Sequence, residues 1–482
     1  MAFPVNQLQR AHEQSDVPSV RYALEYGWKS SRGEVIDRLI TYQFPDRSAA
    51  SYGPLNVITF QIPLGTYALF PPTSTFMADL LITGAGTTGP GGQVQMGALS
   101  DFNFFGGVLG TTAGPVNAVP VKTRVSGQSA LALFDQSRIT MLGREITQTQ
   151  ELGTVAQWLD RWTQSKDVLD TSAQLRGYND FAIEDDLPLP SVLAYTRFDA
   201  AFPAPYDSSQ RLVIPLGHFS PLFTMAKAIP HVGQNFRLEL YLRSAGNALI
   251  WSSAGVNWNA ANTYSLSNCS IETDMLQFSP SIMAGIENLA DGEGVDYVIT
   301  DVSIPQRVNL ADQSSASFDI RTQSVNRAKS VFTGFIPLAN RIPSTGQALD
   351  YNQASYTQLG GGIAGSASNL IAQWQYRLGG NLLNKQPINT PYESYQEGLK
   401  CFGNFTPMLD VSAMMLLCGL MGADLERSPG SEESGPLARS TAMDNNLNLN
   451  VQMNGAQSGL FLSFLLYVKV VKFRRNAVDV FF

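Results

Sequence analysis

Three stretches of the sequence alternate apolar and polar residues with a period of two. The clearest is Phe236–Leu242, where Phe and Leu occupy every second position, and the others cover residues 372–378 and 447–453. A strand with one buried face has this pattern, because successive side chains point to opposite faces of a sheet. The sequence therefore predicts a protein made mainly of half-buried β-strands.

Shorter apolar runs, separated by connections rich in Gly, Pro, Asn and Ser, predict further strands. Many short strands with long, turn-rich connections are typical of β-sandwiches. The additional strand candidates are Asn56–Ile62, Ala78–Thr83, Arg138–Ile146, Ser191–Phe198, Arg211–Pro215, Tyr297–Ile304, Ala316–Arg321 and Leu460–Phe473.

Helical spacing of apolar residues is found in two places. Apolar residues recur at intervals of three and four through Leu152–Trp162 and again through Tyr392–Phe402. The second helix has a defined start, with Thr390 as N-cap, Pro391 at the first position and Glu393 completing a capping box. Both helices are therefore short insertions in an otherwise β-rich chain.

The two halves of the chain repeat one order of elements. Each half runs through an apolar strand, a Gly turn and a helix. The turns at Gly143 and Gly379 are 236 positions apart, and the helix starts at Leu152 and Tyr392 are 240 apart, close to half of the 482 residues. Repetition at a fixed spacing indicates duplicated structural units. We therefore expect an all-β fold of two tandem copies of one β-sandwich, with short inserted helices and long loops.

The composition favours a protein that covers its surface with copies of itself. Only 15% of residues are charged, against about 25% in typical soluble domains. The net charge is −8, and Met1–Val17 carries only Arg10 as a fixed positive side chain. Coating a nucleic acid requires Lys and Arg to replace the counterions of its phosphates. We therefore expect no strong direct binding to nucleic acid.

Cysteine content and targeting signals indicate a reducing compartment. Cys269, Cys401 and Cys418 do not form a disulfide framework and have no CxxC spacing. The N-terminus lacks the apolar segment of a signal peptide, and the strongest apolar run, Gly459–Val468, is too short to span a bilayer. The sequence predicts no transmembrane segment and synthesis in the cytosol.

Motifs that suggest chemistry all have a simpler structural explanation. Gly84–Gly89 spells GxGxxG, but Pro90 and further glycines follow where a dinucleotide site needs a helix. The three histidines are scattered, and the acidic run at residues 184–186 is typical of a solvated loop. We therefore predict no catalytic, cofactor-binding or metal-binding residue, no cofactor and no enzyme activity. The histidines are His12, His218 and His231, and the acidic residues are Glu184, Asp185 and Asp186.

Two segments carry a resemblance to a known family. Ser129–Phe134 followed by Arg138–Ile146 is similar to a strand and Gly-turn segment in the first jelly roll of the double jelly-roll major capsid proteins of double-stranded DNA viruses. Trp374–Gly380, Gln386–Ile388 and Tyr392–Lys400 resemble the strand, turn and helix of the second jelly roll in polinton-like and adintovirus-like members. Asn384 or Lys385 stands where those members commonly have a proline. The alternating strands that end at Phe481–Phe482 extend the resemblance to the C-terminus.

This resemblance implies an all-β fold of two tandem eight-stranded jelly-roll β-sandwiches with short inserted helices and long loops. It also implies a major capsid protein that self-assembles into pseudo-hexameric homotrimers, which tile an icosahedral virion shell. The partners would be neighbouring capsomers together with penton and minor or cement proteins, and assembly would take place in the host cytoplasm or nucleus. We expect an N-terminal arm over residues 1–30, a first jelly roll over 31–290 and a second over 291–482.

The resemblance also assigns the loops of the tower on the outer capsid surface. They are Gly84–Pro120 and Asn247–Tyr264 in the first jelly roll, and Ser344–Asn369 and Arg427–Arg439 in the second.

Two alternatives remain open at the level of sequence. A secreted or surface β-sandwich that binds carbohydrate would share the composition, although it would favour a signal peptide and disulfides. A minor or penton capsid protein with one jelly roll and an extra domain is the other alternative, and the repeat disfavours it.

Overall fold

In the computed structural model of the chain, strands dominate and helices are few, which confirms the all-β prediction. Within the described residues, none of the helices combines the length and the apolar character needed to cross a bilayer. The structure describes residues 35–46, 49–63, 67–83, 122–125, 129–164, 209–225, 227–229, 235–252, 263–320, 328–338, 354, 356–358, 368–384, 386–402, 411, 414–415, 418–425, 447–474 and 477–481.

The first half contains eleven of the described strands and two α-helices. Short 3-10 helices at Ala130–Leu133, Leu216–His218 and Pro221–Thr224 connect some of them. The strands are β1 (Val35–Gln43), β2 (Ser51–Tyr52), β3 (Val57–Ile62), β4 (Ala68–Thr83), β5 (Lys122–Val125), β6 (Phe134–Met141), β7 (Arg144–Gln150), β8 (Ser209–Pro215), β9 (Phe236–Leu242), β10 (Leu249–Ser252) and β11 (Thr263–Phe278), and the helices are α1 (Leu152–Thr163) and α2 (Ala245–Ala248).

Eight of these strands form the two sheets of a jelly roll. One sheet has the order β1-β11-β4-β8 and the other has the order β3-β9-β6-β7, and every pairing is antiparallel. When these eight strands are numbered along the chain, the orders are 1-8-3-6 and 2-7-4-5. This is the eight-stranded arrangement of two Greek keys that defines a jelly roll.

The second half begins with a helix and continues with ten of the described strands. The elements are α3 (Pro280–Asp291), β12 (Val295–Val302), β13 (Gln306–Ile320), β14 (Ala328–Pro337), β15 (Thr357–Gln358), β16 (Ser368–Asn369), β17 (Ile371–Leu378), β18 (Asn381–Leu382), α4 (Pro391–Phe402), β19 (Leu420–Asp424), β20 (Leu447–Arg474) and β21 (Ala477–Phe481).

The long strand β20 contributes to both layers of the second sandwich. Residues 447–453 pair with β17 and with the end of β13, whereas residues 459–474 pair with β12, β14 and the start of β13. Between these parts the register shifts, and Gly455 and Asp312 adopt positive φ angles. Phe318 is paired with Leu449 and yet contacts Phe461 at a ring separation of 5.5 Å. Strand β20 therefore bends and returns over its own sheet.

With β13 and β20 divided at these bends, the second sandwich has the same topology as the first. One layer has the order β12, β20 (residues 459–474), β14, β19, and the other has β13 (residues 315–320), β20 (residues 447–453), β17, β18. The orders are again 1-8-3-6 and 2-7-4-5. Helices α1 and α4 both lie between the fifth and sixth strands. The two tandem jelly rolls predicted from the sequence are confirmed.

Three details of the predicted elements were wrong. Arg138–Ile146 is not one strand, because Leu142 and Gly143 adopt positive φ angles and turn the chain between β6 and β7. The separate strands predicted at residues 447–453 and 460–473 are one continuous β20. Helix α3 was not predicted at all. Its start carries Pro280 at the first turn, and its buried residues recur every four positions at Ile282, Ile286 and Ala290.

Other predictions fall partly or wholly outside the described residues. The strand Ser191–Phe198, the loops Gly84–Pro120 and Arg427–Arg439 and most of Ser344–Asn369 lie there. The loop predicted at Asn247–Tyr264 contains part of α2, the strand β10 and the first residues of β11. The domain limits at residues 30 and 290 stay predictions.

The buried apolar residues form three clusters. The first fills the first jelly roll and also includes Val295, Tyr297, Phe473 and other residues from the C-terminal part of the chain. The second fills the second jelly roll. The third lies between the two jelly rolls and combines α1 with β14 and β20. We call this third cluster, with the polar contacts around it, the joint.

Candidate functional site: the joint between the jelly rolls

Helix α1 lies at the centre of the joint and is buried almost all around. Residues Leu152 to Trp162 are buried, except for the half-buried Leu159. Trp158 stacks on Phe464 of β20 with 5.9 Å between ring centroids and an interplanar angle of 25°. Its ring also covers Gly334 of β14, where any side chain would overlap it. A helix from the first jelly roll therefore packs on a sheet of the second.

Trp162 extends the same contact toward helix α4. Its ring lies 5.5 Å from the rings of both Tyr395 and Phe402. Its indole Nε1 donates a hydrogen bond to the carbonyl oxygen of Cys418 at 3.3 Å. A buried indole N–H needs such an acceptor. The absence of a side chain at Gly398 lets the ring approach the α4 backbone closely.

Strands β14 and β20 are apolar on both faces because each face packs on a different cluster. Val331, Phe335 and Phe461 point into the second jelly roll. The alternate residues on the outer face of the same sheet belong to the joint, namely Phe332, Ile336, Leu460, Leu462 and Phe464. The outer face of a sandwich normally meets solvent and is polar. Here it is built as an interface.

A buried charge network closes one end of the joint. Glu151 precedes α1 with a φ of 51°, and its carboxylate accepts a hydrogen bond from Arg243 Nη2 at 2.8 Å. Arg307 of β13 binds the other carboxylate oxygen of Glu151. The side chains of Glu151 and Arg243 are almost fully buried. This network links two residues of the first jelly roll to one of the second.

The C-terminal strands make a second set of contacts with the first jelly roll. Phe473 of β20 meets Phe236 and Tyr297 edge-on, at ring separations of 5.8 Å and 5.1 Å. The hydroxyl of Tyr297 donates to the carbonyl oxygen of Ala228 at 2.6 Å. Arg144 reaches the carbonyl oxygen of Val478 at 3.0 Å. The two jelly rolls therefore share a continuous interior.

The three cysteines of the chain have unreactive thiols at neutral pH. Burial raises the pKa of the Cys269 and Cys418 thiols to about 12 and that of Cys401 well above its ordinary value. A thiol with a raised pKa is not a nucleophile at neutral pH, because the thiolate is the reactive form. Their place in the structure is that of small packing residues.

Of the other residues noted in the sequence, His218 lies within the described part of the chain. His218 Nδ1 lies 3.5 Å from Asp160 Oδ1 of α1, which makes it part of the packing around that helix. His12, His231, Gly84–Gly89 and residues 184–186 lie outside the described residues. In the part of the chain that is described, no three His, Cys, Asp or Glu side chains are grouped so that they could hold a metal ion.

Sequence reasoning missed the joint, although part of its signal was visible. The apolar face of α1 with its two tryptophans was recognised as helical, but not as the contact between the two halves. The double-sided apolar character of Ala328–Pro337 is a signal that could have indicated a strand buried on both faces. The pairing of Glu151 with Arg243 and Arg307 joins positions far apart in the sequence and has no local pattern.

Comparison with known proteins gives similarity in structure alone. No protein-family model matches the chain, and no curated protein matches it. A crystal structure of PBCV-1 VP54, fitted into a reconstruction of the virophage Sputnik, covers 94% of this chain and 98% of its own at 12% identity and a TM-score of 0.57.

Two further solved structures are similar over nearly the whole chain. The Faustovirus major capsid protein covers 93% of this chain and 92% of its own at 11% identity and a TM-score of 0.55. A structure of the Sputnik virophage covers 94% and 90% at 12% identity and a TM-score of 0.54. Both sandwiches thus fall within the similarity, and the chain has the double jelly-roll fold of viral major capsid proteins.

Proposed function

We propose that this chain is the major capsid protein of a virus and that it self-assembles into pseudo-hexameric trimers that tile an icosahedral shell. The observation that carries the proposal is the joint, in which two jelly rolls of one topology are fixed side by side through an apolar contact with a buried charge network at one end. Two rolls per chain and three chains per capsomer give six equivalent blocks. Structural similarity to the Faustovirus major capsid protein over more than nine-tenths of both chains supports the same function.

The partners follow from that role. Neighbouring capsomers would be the main ones, together with penton and minor or cement proteins, and the protein would reside in the virion after assembly in the host cytoplasm or nucleus. The acidic net charge of −8 favours a shell that encloses a genome without coating it. A structural role needs no catalytic group, and buried, protonated thiols suit such a role.

The test is the mass of the purified protein by light scattering behind a sizing column, with negative-stain images of the same peak. We expect a mass near three times the 52.4 kDa of one chain, together with hexagonal particles. A protein that stays monomeric and forms no shell under any assembly condition would contradict the proposal. Carbohydrate binding to the isolated chain would then be the next activity to measure.

A further inference from the structure

Strand β1 is a sheet edge with exposed apolar side chains. Among the described strands, β1 pairs only with β11, so its other edge has no strand beside it. The exposed fractions are 47% for Ile40, 55% for Tyr42 and 70% for Phe44, which directly follows the strand. Soluble proteins usually protect such edges with charge, proline or a covering element. An uncovered apolar edge indicates a contact with another chain.

The register places these side chains on the face opposite the core residues of β11. Ile40 lies opposite Asp274 and Tyr42 lies opposite Glu272, whereas Gln43 lies opposite Ile271 of the first core cluster. Asp274 is also buried, in an ion pair of 2.7 Å with the exposed guanidinium of Arg38. Residues directly opposite in an antiparallel pair share a face. Ile40 and Tyr42 are therefore on the outer face of the sheet β1-β11-β4-β8. The half-buried Met77 and Leu81 of β4 continue this outer face.

The corresponding outer face of the second jelly roll is already covered within the chain. That face, on the sheet formed by β12, β20, β14 and β19, carries Phe332 and Phe464 and receives Trp158 of α1. Helix α4 covers its β19 end, where the Ser394 hydroxyl donates to the carbonyl oxygen of Leu420 at 3.2 Å. The two jelly rolls thus differ in what lies on one equivalent surface.

Two equivalent units form a heterologous interface when each contributes a different surface to it. A pair of units joined in this way still carries one surface of each kind that has no partner within the pair. Within one chain the used pair is the α1 side of the first jelly roll and the outer sheet face of the second. Within the described residues, no helix is seen to pack on the equivalent outer sheet face of the first jelly roll as α1 packs on the second, and its β1 edge is exposed. Only another copy of the chain carries a second jelly roll that could meet it.

We propose that the outer face of the sheet β1-β11-β4-β8, with Ile40, Tyr42 and Phe44 at its edge, docks the second jelly roll of another copy of this chain. This inference rests on the proposed function and names the surface through which the copies meet. The ion pair of Asp79 and Arg211, at 2.9 Å on the same face, supplies a polar border. An apolar centre with a polar rim is the usual composition of a stable interface.

The test compares two charge variants of the full chain by light scattering over a range of concentrations. Ile40→Lys/Tyr42→Lys places two ammonium groups on the docking face, opposite Asp274 and Glu272 of β11. The matched control is Leu55→Lys/Val57→Lys, which adds the same charge at two exposed apolar positions of the first jelly roll that lie outside this sheet. Both variants are checked for folding by thermal unfolding.

We expect Ile40→Lys/Tyr42→Lys to weaken association at least about 100-fold, because two large apolar side chains lose their buried contact. The control should assemble like the unaltered chain. If the unaltered chain forms trimers and the docking-face variant forms them equally well, this inference fails and the proposed function stands. The inference also fails if the control dissociates to the same extent. An unaltered chain that never associates contradicts the proposed function itself.

Discussion

At the scale of single residues, the second jelly roll holds a fully buried ion pair. Lys469 Nζ lies 3.2 Å from Asp301 Oδ2, and the two side chains are 4% and 1% exposed. The Tyr467 hydroxyl donates to the same carboxylate oxygen at 3.4 Å. Burial raises the pKa of Asp301, and the ammonium group of Lys469 acts in the opposite direction. The charge on this carboxyl group therefore depends on Lys469.

Removing one charge of this pair should be costly. Asp301→Asn takes away the carboxylate that neutralises Lys469 in the interior, and we expect a loss of about 3–5 kcal/mol in the free energy of unfolding. Lys469→Met should cost less, because a carboxyl group can take up a proton. The measurement is urea unfolding of both variants and of the double variant. Additive losses in the double variant would show that the two groups do not stabilise each other.

The pH dependence of Lys469→Met has a definite sign. Without the ammonium group, the pKa of Asp301 rises further above its model-compound value of 3.8. A carboxyl group with a raised pKa in the folded state contributes stability that is complete below the unfolded pKa and is lost as the pH rises through the folded pKa. The difference in the free energy of unfolding between the unaltered chain and Lys469→Met should therefore become smaller as the pH is lowered toward 4. A deficit independent of pH would contradict this assignment.

The start of helix α4 is fixed by a capping box that was correctly predicted. The Thr390 side chain accepts a hydrogen bond from the backbone N–H of Glu393 at 3.2 Å, and the Glu393 carboxylate accepts one from the backbone N–H of Thr390 at 3.3 Å. Hydrogen bonds from backbone N–H groups and from Thr390 lower the pKa of Glu393. The carboxylate form is therefore the one that stabilises the helix.

Thr390→Ala should weaken the first turn of α4 by about 1 kcal/mol, the usual contribution of an N-cap side chain. Hydrogen exchange of the α4 amides measures this locally. Because the pKa of Glu393 is lowered in the folded state, its contribution is present above the unfolded pKa and is lost as the pH falls through the folded one. Glu393→Gln should therefore resemble the unaltered chain more closely at acid pH than at neutral pH. Identical exchange in all three proteins at neutral pH would exclude a role for the box.

At the scale of elements, helix α1 packs closely on strand β14 because Gly334 has no side chain beneath the Trp158 ring. A Cβ at Gly334 would overlap the Trp158 ring and would lie 2.9 Å from the Cβ of Ala354. We expect Gly334→Ala to lower the free energy of unfolding by about 1–3 kcal/mol, as overpacking does. Adding Trp158→Phe should recover part of the loss, because the smaller ring makes room for the methyl group.

Gly53→Ala is the control for Gly334→Ala, because a Cβ at Gly53 meets no atom within 4 Å. It should leave unfolding nearly unchanged. The three variants and the double variant are compared by thermal unfolding. The proposed fit is incorrect if Gly334→Ala is as stable as the control, or if Trp158→Phe makes the loss larger.

The same elements show what local pattern can and cannot predict. Strand β9 begins and ends at the predicted Phe236 and Leu242, because a half-buried strand carries its period in its own residues. The turn at Gly143 was predicted from the repeat, but β7 was not predicted as a separate strand, because apolar residues continue on both sides of the turn. The burial of α1 on all sides could not be predicted, since the surface opposite Trp158 is formed by residues more than 170 positions away. A pattern in the sequence reports which face of an element is apolar, and the identity of its partner depends on the tertiary fold.

At the scale of the whole molecule, each jelly roll buries apolar surface with residues of the other. The core of the first includes Val295, Tyr297 and Ile299 of β12, and Val471 and Phe473 of β20. In return, α1 fills the outer face of the second jelly roll with the two fully buried side chains Trp158 and Trp162. Burying one large apolar side chain contributes about 1.5–3 kcal/mol, and a typical protein is stable by only about 5–15 kcal/mol in total. Separation would therefore expose enough apolar surface to unfold either half.

We expect residues 31–290 expressed alone to lack a cooperative thermal transition and to aggregate, because α1 and the open end of the first core would meet water. Co-expression with residues 291–482 should restore a soluble complex, since the contacts of the joint can form between two polypeptides as they do within one. Near-UV circular dichroism and sizing of the separate and combined halves measure this. A first half that unfolds cooperatively by itself, with native aromatic signals, would mean that the joint only docks two finished domains. Cooperative folding of the pair would instead make the joint part of the folding unit, so that a chain reaches the geometry required for the proposed capsomer only when both halves are complete.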